Sequence, residues 1–144
     1  MNQTTENPKS RKKKKGFAVL GLILLIAAIA ALAYWQFAAE SYRAQFTTRI
    51  VDKEPVDKIV AVKKIRDGRI TFFSEITNQK GKAIAHVWKN GDKVVYTHRF
   101  SVSSDKWRAN SDVSQGHFNK GDKATVEIQD KEGKVLGSYT IKVE

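Results

Sequence analysis

Residues Gly16 to Ala39, GFAVLGLILLIAAIAALAYWQFAA, carry no charge, and Gln36 is their only strongly polar side chain. No other feature limits the chain as strongly. As a helix the run rises roughly 36 Å, enough to cross a hydrocarbon core of about 30 Å. A helix is also the only form in which one isolated segment satisfies its own backbone in lipid. The run is apolar all round, with no polar stripe at helical spacing, so it does not read as a helix lying on a surface. It predicts a transmembrane helix over 16–39, with the lipid bilayer as its partner. Tyr34, Trp35 and Phe37 sit at its C-terminal end, where rings with one polar edge favour the membrane–water interface. Ala27 and Ala31 form one small-xxx-small pair, which arises readily by chance in an Ala-rich segment.

Orientation follows from the basic residues near each end. Lys9 and the run Arg11, Lys12, Lys13, Lys14 and Lys15 lie flush with the N-terminal side. Beyond the other end Arg43, Arg49, Lys53 and Lys58 are scattered among Glu40, Asp52, Glu54 and Asp57. The denser cluster is expected to stay in the cytoplasm, leaving the C-terminal domain outside. Two other readings stay open. Ala31-Leu32-Ala33 is an acceptable signal-peptide cleavage site, although the apolar run exceeds the usual signal core. A buried helix of a soluble protein would need a core that a chain this short lacks.

The chain has 144 residues and a formal charge of +11. Residues 1–16 hold six basic residues and one acidic one, so almost half the excess flanks the helix and favours anionic headgroups. Elsewhere Lys and Arg alternate with acids and no nucleic-acid motif occurs, so nucleic acid is not an expected partner. With no cysteine, disulfides, thiol nucleophiles and thiolate metal sites are excluded.

Met1 to Ser10 is polar and aperiodic, and residues 1–15 read as a disordered basic tail. Residues 40–45 read as a connector, and 46–144 as one outer domain. Phe46 to Val51 is a first strand, and Asp52-Lys53-Glu54-Pro55 a turn. A second strand is expected around Ile59, Val60, Ala61 and Val62. Arg69 to Thr77 alternates, with Ile70, Phe72 and Ile76 on one face and Thr71, Phe73 and Glu75 on the other. Lys82 to Lys89 and Lys93 to Val102 flank Asn90-Gly91, a hairpin signal. A two-residue turn there sets Trp88 against Lys93; a three-residue loop sets it against Val94 and His86 against Tyr96. One step of register exchanges the faces, but His86 and Trp88 share a face either way. Trp107 to Ser111 begins an irregular stretch through Asp122. Ala124, Val126 and Ile128 point inward from the next strand, and Val135, Tyr139, Ile141 and Val143 share a face of the last. The fold class predicted is all-β, an antiparallel Ig-like β-sandwich of seven to eight strands preceded by one transmembrane α-helix.

Phe46-Thr47-Thr48 with Ile50, Asp52 to Asp57, Phe72-Phe73 with Glu75, and Gly81 are followed by His86-x-Trp88, Asn90-Gly91 and Phe100-x-Val102. Trp107-Arg108 with Ser111, and Gly133 with Val135-Leu136, complete the order. It resembles the bacterial envelope family called domain of unknown function 2914, over Phe46 to Val143. The resemblance implies a β-sandwich on a membrane anchor, with no activity or ligand attached. Gly121-Asp122-Lys123 departs from it, lacking an aromatic where similar proteins carry one.

His86, Trp88, Trp107 and Arg108 are the candidate interaction patch, because Trp faces and Arg are frequent interface anchors. Equally, the two Trp residues can be the core, with His86 and Arg108 satisfying backbone carbonyls or a carboxylate such as Glu75. His86, His98 and His117 have no ligand-like spacing, so no metal and no cofactor is expected. No nucleophile elbow or catalytic constellation occurs. The expected function is a tethered interaction module in a bacterial plasma membrane, binding an envelope protein or glycan. The alternative is a small accessory enzyme acting on envelope polymers.

Overall fold

The computed structural model describes the backbone of residues 13–38 and 42–144, with side chains over 19–32 and 42–144. The chain divides into two units, residues 1–39 and 40–144. Arg11, Lys12 and the expected tail lie outside the described residues, as do the side chains of Tyr34, Trp35 and Phe37 and part of the junction at 40–45.

The first unit is a helix, α1, Lys13–Ala38. It starts three residues before the uncharged run, so Lys13, Lys14 and Lys15 are helical rather than part of a tail. Leu, Ala and Ile favour this conformation, and no proline interrupts it. Val19, Leu20, Leu22, Ile23, Leu24, Leu25, Ile26, Ile29 and Leu32 are all exposed. Successive residues turn by about 100° around a helix, so this run faces every side. Among the described residues no helix is long and apolar enough to cross a membrane; residues 19–32 alone rise roughly 21 Å.

The second unit is built from strands β1 (Tyr42–Thr47), β2 (Ile50–Val51), β3 (Glu54–Pro55), β4 (Ala61–Val62) and β5 (Arg69–Thr77). Then come β6 (Ala83–Asn90), β7 (Lys93–Ser101), β8 (Lys106–Ser114), β9 (Lys123–Asp130) and β10 (Val135–Val143). One sheet has the order β1-β5-β8, another β4-β10-β9-β6-β7, and β2-β3 form a small ribbon. Among the described residues every pairing is antiparallel except β10 with β4, which is parallel, so the expectation of a wholly antiparallel fold is corrected at one edge. The sequence count of seven to eight strands misses the two-residue pieces. Val60 projects into solvent, and only Ala61 and Val62 of the expected second strand pair.

The two larger sheets share one core. Ile70, Phe72 and Ile76 of β5 meet Ile84 and Trp88 of β6 and Ala124, Val126 and Ile128 of β9. Phe46, Phe72 and Trp88 pack edge to face, with ring centroids 5.2 to 6.3 Å apart, the geometry that ring quadrupoles favour. Phe73 is on the opposite face of β5 and is also buried, with the Arg43 guanidinium 5.2 Å from its ring centre.

Three local outcomes differ from the sequence reading. The first strand begins at Tyr42, inside the expected connector, because Tyr42 to Phe46 pair with Phe72 to Ile76. At the hairpin, neither expected register forms. Asn90 pairs with Lys93 around Gly91-Asp92, and a bulge then sets Trp88 opposite Tyr96 and His86 opposite His98. In β10 a bulge between Val135 and Gly137 breaks the alternation; Val135 is exposed and Leu136 packs on the core instead.

Gly68 is fixed by close approach. A Cβ there would come within 2.4 Å of Ile65 Cγ1 and 2.7 Å of the Gln115 carboxamide, and Gln115 is buried, accepting from the Ile65 N–H at 2.8 Å. Gly68→Ala is expected to lower unfolding stability by about 1–3 kcal/mol, read by urea denaturation with an unchanged slope; no loss would mean the loop yields freely.

Candidate functional site

The sequence singled out His86, Trp88, Trp107 and Arg108, and the structure separates them into two environments. β6 carries His86 and Trp88 inward, both fully buried. β8 carries Trp107 partly buried against the core and Arg108 on the outer face. Trp107 to Ser111, expected to begin an irregular stretch, pair with Phe72 to Ile76 of β5. The alternation of β8 is masked because two of its inward positions are Ala109 and Ser111. They are small, and Ser111 is polar.

That polarity serves His86 and Trp88. Ser74 Oγ lies 2.8 Å from His86 Nε2, Ser111 Oγ lies 2.9 Å from His86 Nδ1, and Trp88 Nε1–H donates to Ser111 Oγ at 2.9 Å. The Nε2–H tautomer satisfies every group: His86 donates to Ser74, and Ser111 accepts from Trp88 while donating to Nδ1. A second ring proton would strand the Ser111 hydroxyl hydrogen. Burial, reinforced by neighbouring His98, pulls the His86 pKa down to about 3. The His86 imidazole is therefore a neutral structural group, enclosed by Phe72 and Phe100 with ring centres about 5 Å away.

Ser74 and Ser111 are the members that sequence reading missed. Ser74 had one available signal, since it shares a face with Ile70, Phe72 and Ile76; Ser111 had its place after Trp107-Arg108 in the order that carries the resemblance, which gave it no role.

The outer face of β5 is electrostatic. Arg108 Nε donates to Glu75 at 2.8 Å and its guanidinium also reaches Glu54 at 2.6 Å. Arg43 bridges Glu54 at 2.9 Å and Glu75 at 3.3 Å, and Lys106 approaches Glu75 at 3.5 Å. Burial pushes the Glu75 carboxyl up, but Arg108, Arg43 and Lys106 outweigh it and hold the pKa below its ordinary value. Glu54-Pro55, expected as a turn, forms β3, and its Glu clamps the β2–β3 ribbon to this face. Asp57 fastens the end of β1 by accepting from the Thr47 and Thr48 hydroxyls and the Thr48 N–H. These bonds hold its pKa low.

A groove of about 520 Å³ lies between the ribbon tip and β8, lined by Ile50, Asp52, Lys53 and Phe73 with residues 106–110. A second, of about 300 Å³, lies at the other end of β8 between Tyr96 and residues 112–114. The Trp107 Nε1–H is buried without a hydrogen-bond partner among the described residues. The His86 and His98 rings are 6.3 Å apart, His117 is on the 3-10 turn after β8, and among the described residues no group is arranged to hold a metal ion.

These features define a β-sheet domain with a hydrogen-bonded aromatic core and an ion-paired, grooved outer face. The sequence model of the family described as a protein of unknown function, DUF2914, matches residues 81–143, and over that stretch the chain is similar to that family. The match begins at Gly81, not at Phe46 where the resemblance begins. No curated protein and no solved structure matches the chain.

Ser111→Ala strands His86 Nδ1 and Trp88 Nε1 together, and is expected to cost about 2–4 kcal/mol in urea denaturation; a cost under about 0.5 kcal/mol would mean the hydroxyl carries no such load. The pH dependence has a definite sign. The folded pKa of His86, about 3, lies below the unfolded value near 6.5, so the unfolded chain binds the extra proton between them. Stability is full above pH 6.5 and falls with acidification by about 1.4 kcal/mol per pH unit. Between pH 6.5 and 5 the carboxylates stay ionised. A His86→Gln variant should lack this slope there, and an identical slope in both proteins would refute the assignment.

Proposed function

We propose that the chain is a single-pass membrane protein of a bacterial envelope, its N-terminus cytoplasmic, whose outer Ig-like sandwich is a binding module for an envelope protein or glycan. The anchor reading is supported by the nine large aliphatic side chains of α1 that are exposed on every side, a surface that is costly in water and favourable in lipid. The basic run Arg11 to Lys15 supports the orientation. The binding reading is carried by one observation: two open grooves run along β8, while the chemically versatile His86 is sealed in the core. Open grooves beside a strand suit recognition of an extended partner. Tethering raises the effective concentration of any partner in the same membrane.

The chain is expected to stay in the membrane pellet after alkaline carbonate extraction, and an alkaline phosphatase fusion at Glu144 to be active. Replacing Leu22, Ile26 and Ile29 by Lys should release it. Extraction of the unaltered chain, or an inactive phosphatase beside a fluorescent reporter fusion, would overturn the anchor. A mature chain shortened to residue 34 would mean cleavage after Ala33. For binding, photo-reactive residues at Val60, Tyr96, Lys106 and Lys123 should give a recurrent envelope adduct from at least one position in intact cells. No adduct from any of them would overturn the module reading.

A further inference from the structure

The edges of the two main sheets are treated unequally. The outer edge of β1 is closed by the segment after β3, where the Ile59 N–H donates to Phe46 O at 3.0 Å and Gln45 Nε2 to Asp57 O at 2.8 Å. The outer edge of β10 is closed by β4. β8 pairs with β5 along all nine of its residues, and among the described residues no strand pairs with its other side. The outer edge of β7 is open as well, and the two grooves lie along the two halves of β8. The larger groove is lined by the consecutive residues 106–110. Their side chains alternate between the two faces of the sheet, so a run of five along one groove marks the strand's edge as its wall.

We propose that the free edge of β8 accepts an extended acidic segment of a partner protein as an added strand, deepening the binding-module reading on which it rests. An edge strand offers unpaired backbone donors and acceptors, and main-chain pairing supplies the affinity. Charge supplies the selectivity. Arg43, Lys106 and Arg108 converge on Glu75 and Glu54, three cations on two carboxylates. Across the groove Lys53 and Asp52 both line it and are in no ion pair among the described residues, which leaves four cations against three carboxylates. At the far half Arg69 and Asp112 pair with each other, so the cationic excess belongs to the half bearing Lys106. A carboxylate opposite Lys106 or Arg108 completes the pairing, since directly opposed side chains on neighbouring strands interact. The incoming strand's other face lies beside Trp107 and Val113, so its alternate residues are apolar.

The ribbon tip overlooking this groove is strained. Asp52 and Lys53 hold φ of 50° and 64°, a region that costs residues other than Gly energy and recurs at functional sites. Glu54, tied to Arg43 and Arg108, holds the tip in place and keeps the groove open.

The test uses the full chain in detergent micelles and a capped nine-residue peptide alternating Glu with Val, against the same peptide with Lys for Glu. Binding is read by fluorescence anisotropy, and its location by amide hydrogen exchange. The Glu peptide is expected to bind at least tenfold more tightly than the Lys peptide, to weaken with salt, and to protect amides within 106–110. The double variant Lys53→Glu, Lys106→Glu alters exposed side chains, and its unchanged melting temperature serves as the folding check. It should lose or reverse the preference. Equal binding of both peptides, no binding, protection confined to β7, self-association through β8 that the peptide does not compete, or an unaltered preference in the folded double variant would overturn the proposal. If adducts form in cells from Val60 or Lys123 while the peptide fails, the β8 site falls and the module reading stands.

Discussion

The hydroxyl of Ser111 holds the two sheets in one arrangement. It sits on β8 and meets both His86 Nδ1 and Trp88 Nε1 of β6, across the core. Without disulfides, a domain of about 100 residues relies on buried area for its stability. Area alone does not choose between neighbouring registers. A buried N–H without a partner costs on the order of 1–3 kcal/mol, so a one-step slip of either strand would strand three polar groups at once. The extra residue of the bulge is on β7, while the unbroken pairing of β6 with β9 keeps His86 and Trp88 together on the buried face. Apolar bulk then closes around them, with Phe46 and Phe72 edge-on to the indole.

The outer face of β5 obeys a different rule. Phe73 and Glu75 alternate with the inward residues, so they point away from the core, yet both are buried. The β2–β3 ribbon and Arg43 cover them. Isolated exposed ion pairs contribute little, but Glu75 is largely shielded and receives Arg43, Lys106 and Arg108 together. Desolvation of the carboxylate is offset by several cations at once, which is the condition under which such a cluster persists. A short ribbon that buries little by itself is thereby fixed, and the groove beside β8 exists because it is.

The strands whose inward residues keep a strict period of two were legible in the sequence. β5 and β9 alternate as written, with Ile70, Phe72, Ile76, Ala124, Val126 and Ile128 all buried. The hairpin around Asn90-Gly91 was visible, and its register was not, because a bulge leaves no mark in composition. β8 was obscured by the residues that make it work: Ala109 and Ser111 face inward to leave space and hydrogen bonds for β6. Of the four candidate site residues, sequence alone placed His86 and Trp88 on one face. It left open whether that face met solvent or the core, and named Glu75 as a possible partner of Arg108.

The sequence by itself determined the uncharged helical run, the β-rich character of residues 46–144 and the lack of cysteine chemistry, because these depend on local composition and period. Tertiary structure decided the rest. Whether His86 is a reactive group or a sealed one depends on Ser74 and Ser111, which are 12 and 25 residues away in the chain. Whether Arg108 is free depends on Glu54 and Glu75 arriving from two other strands. Burial and charge pairing arise from the superposition of distant segments, and no local pattern encodes them.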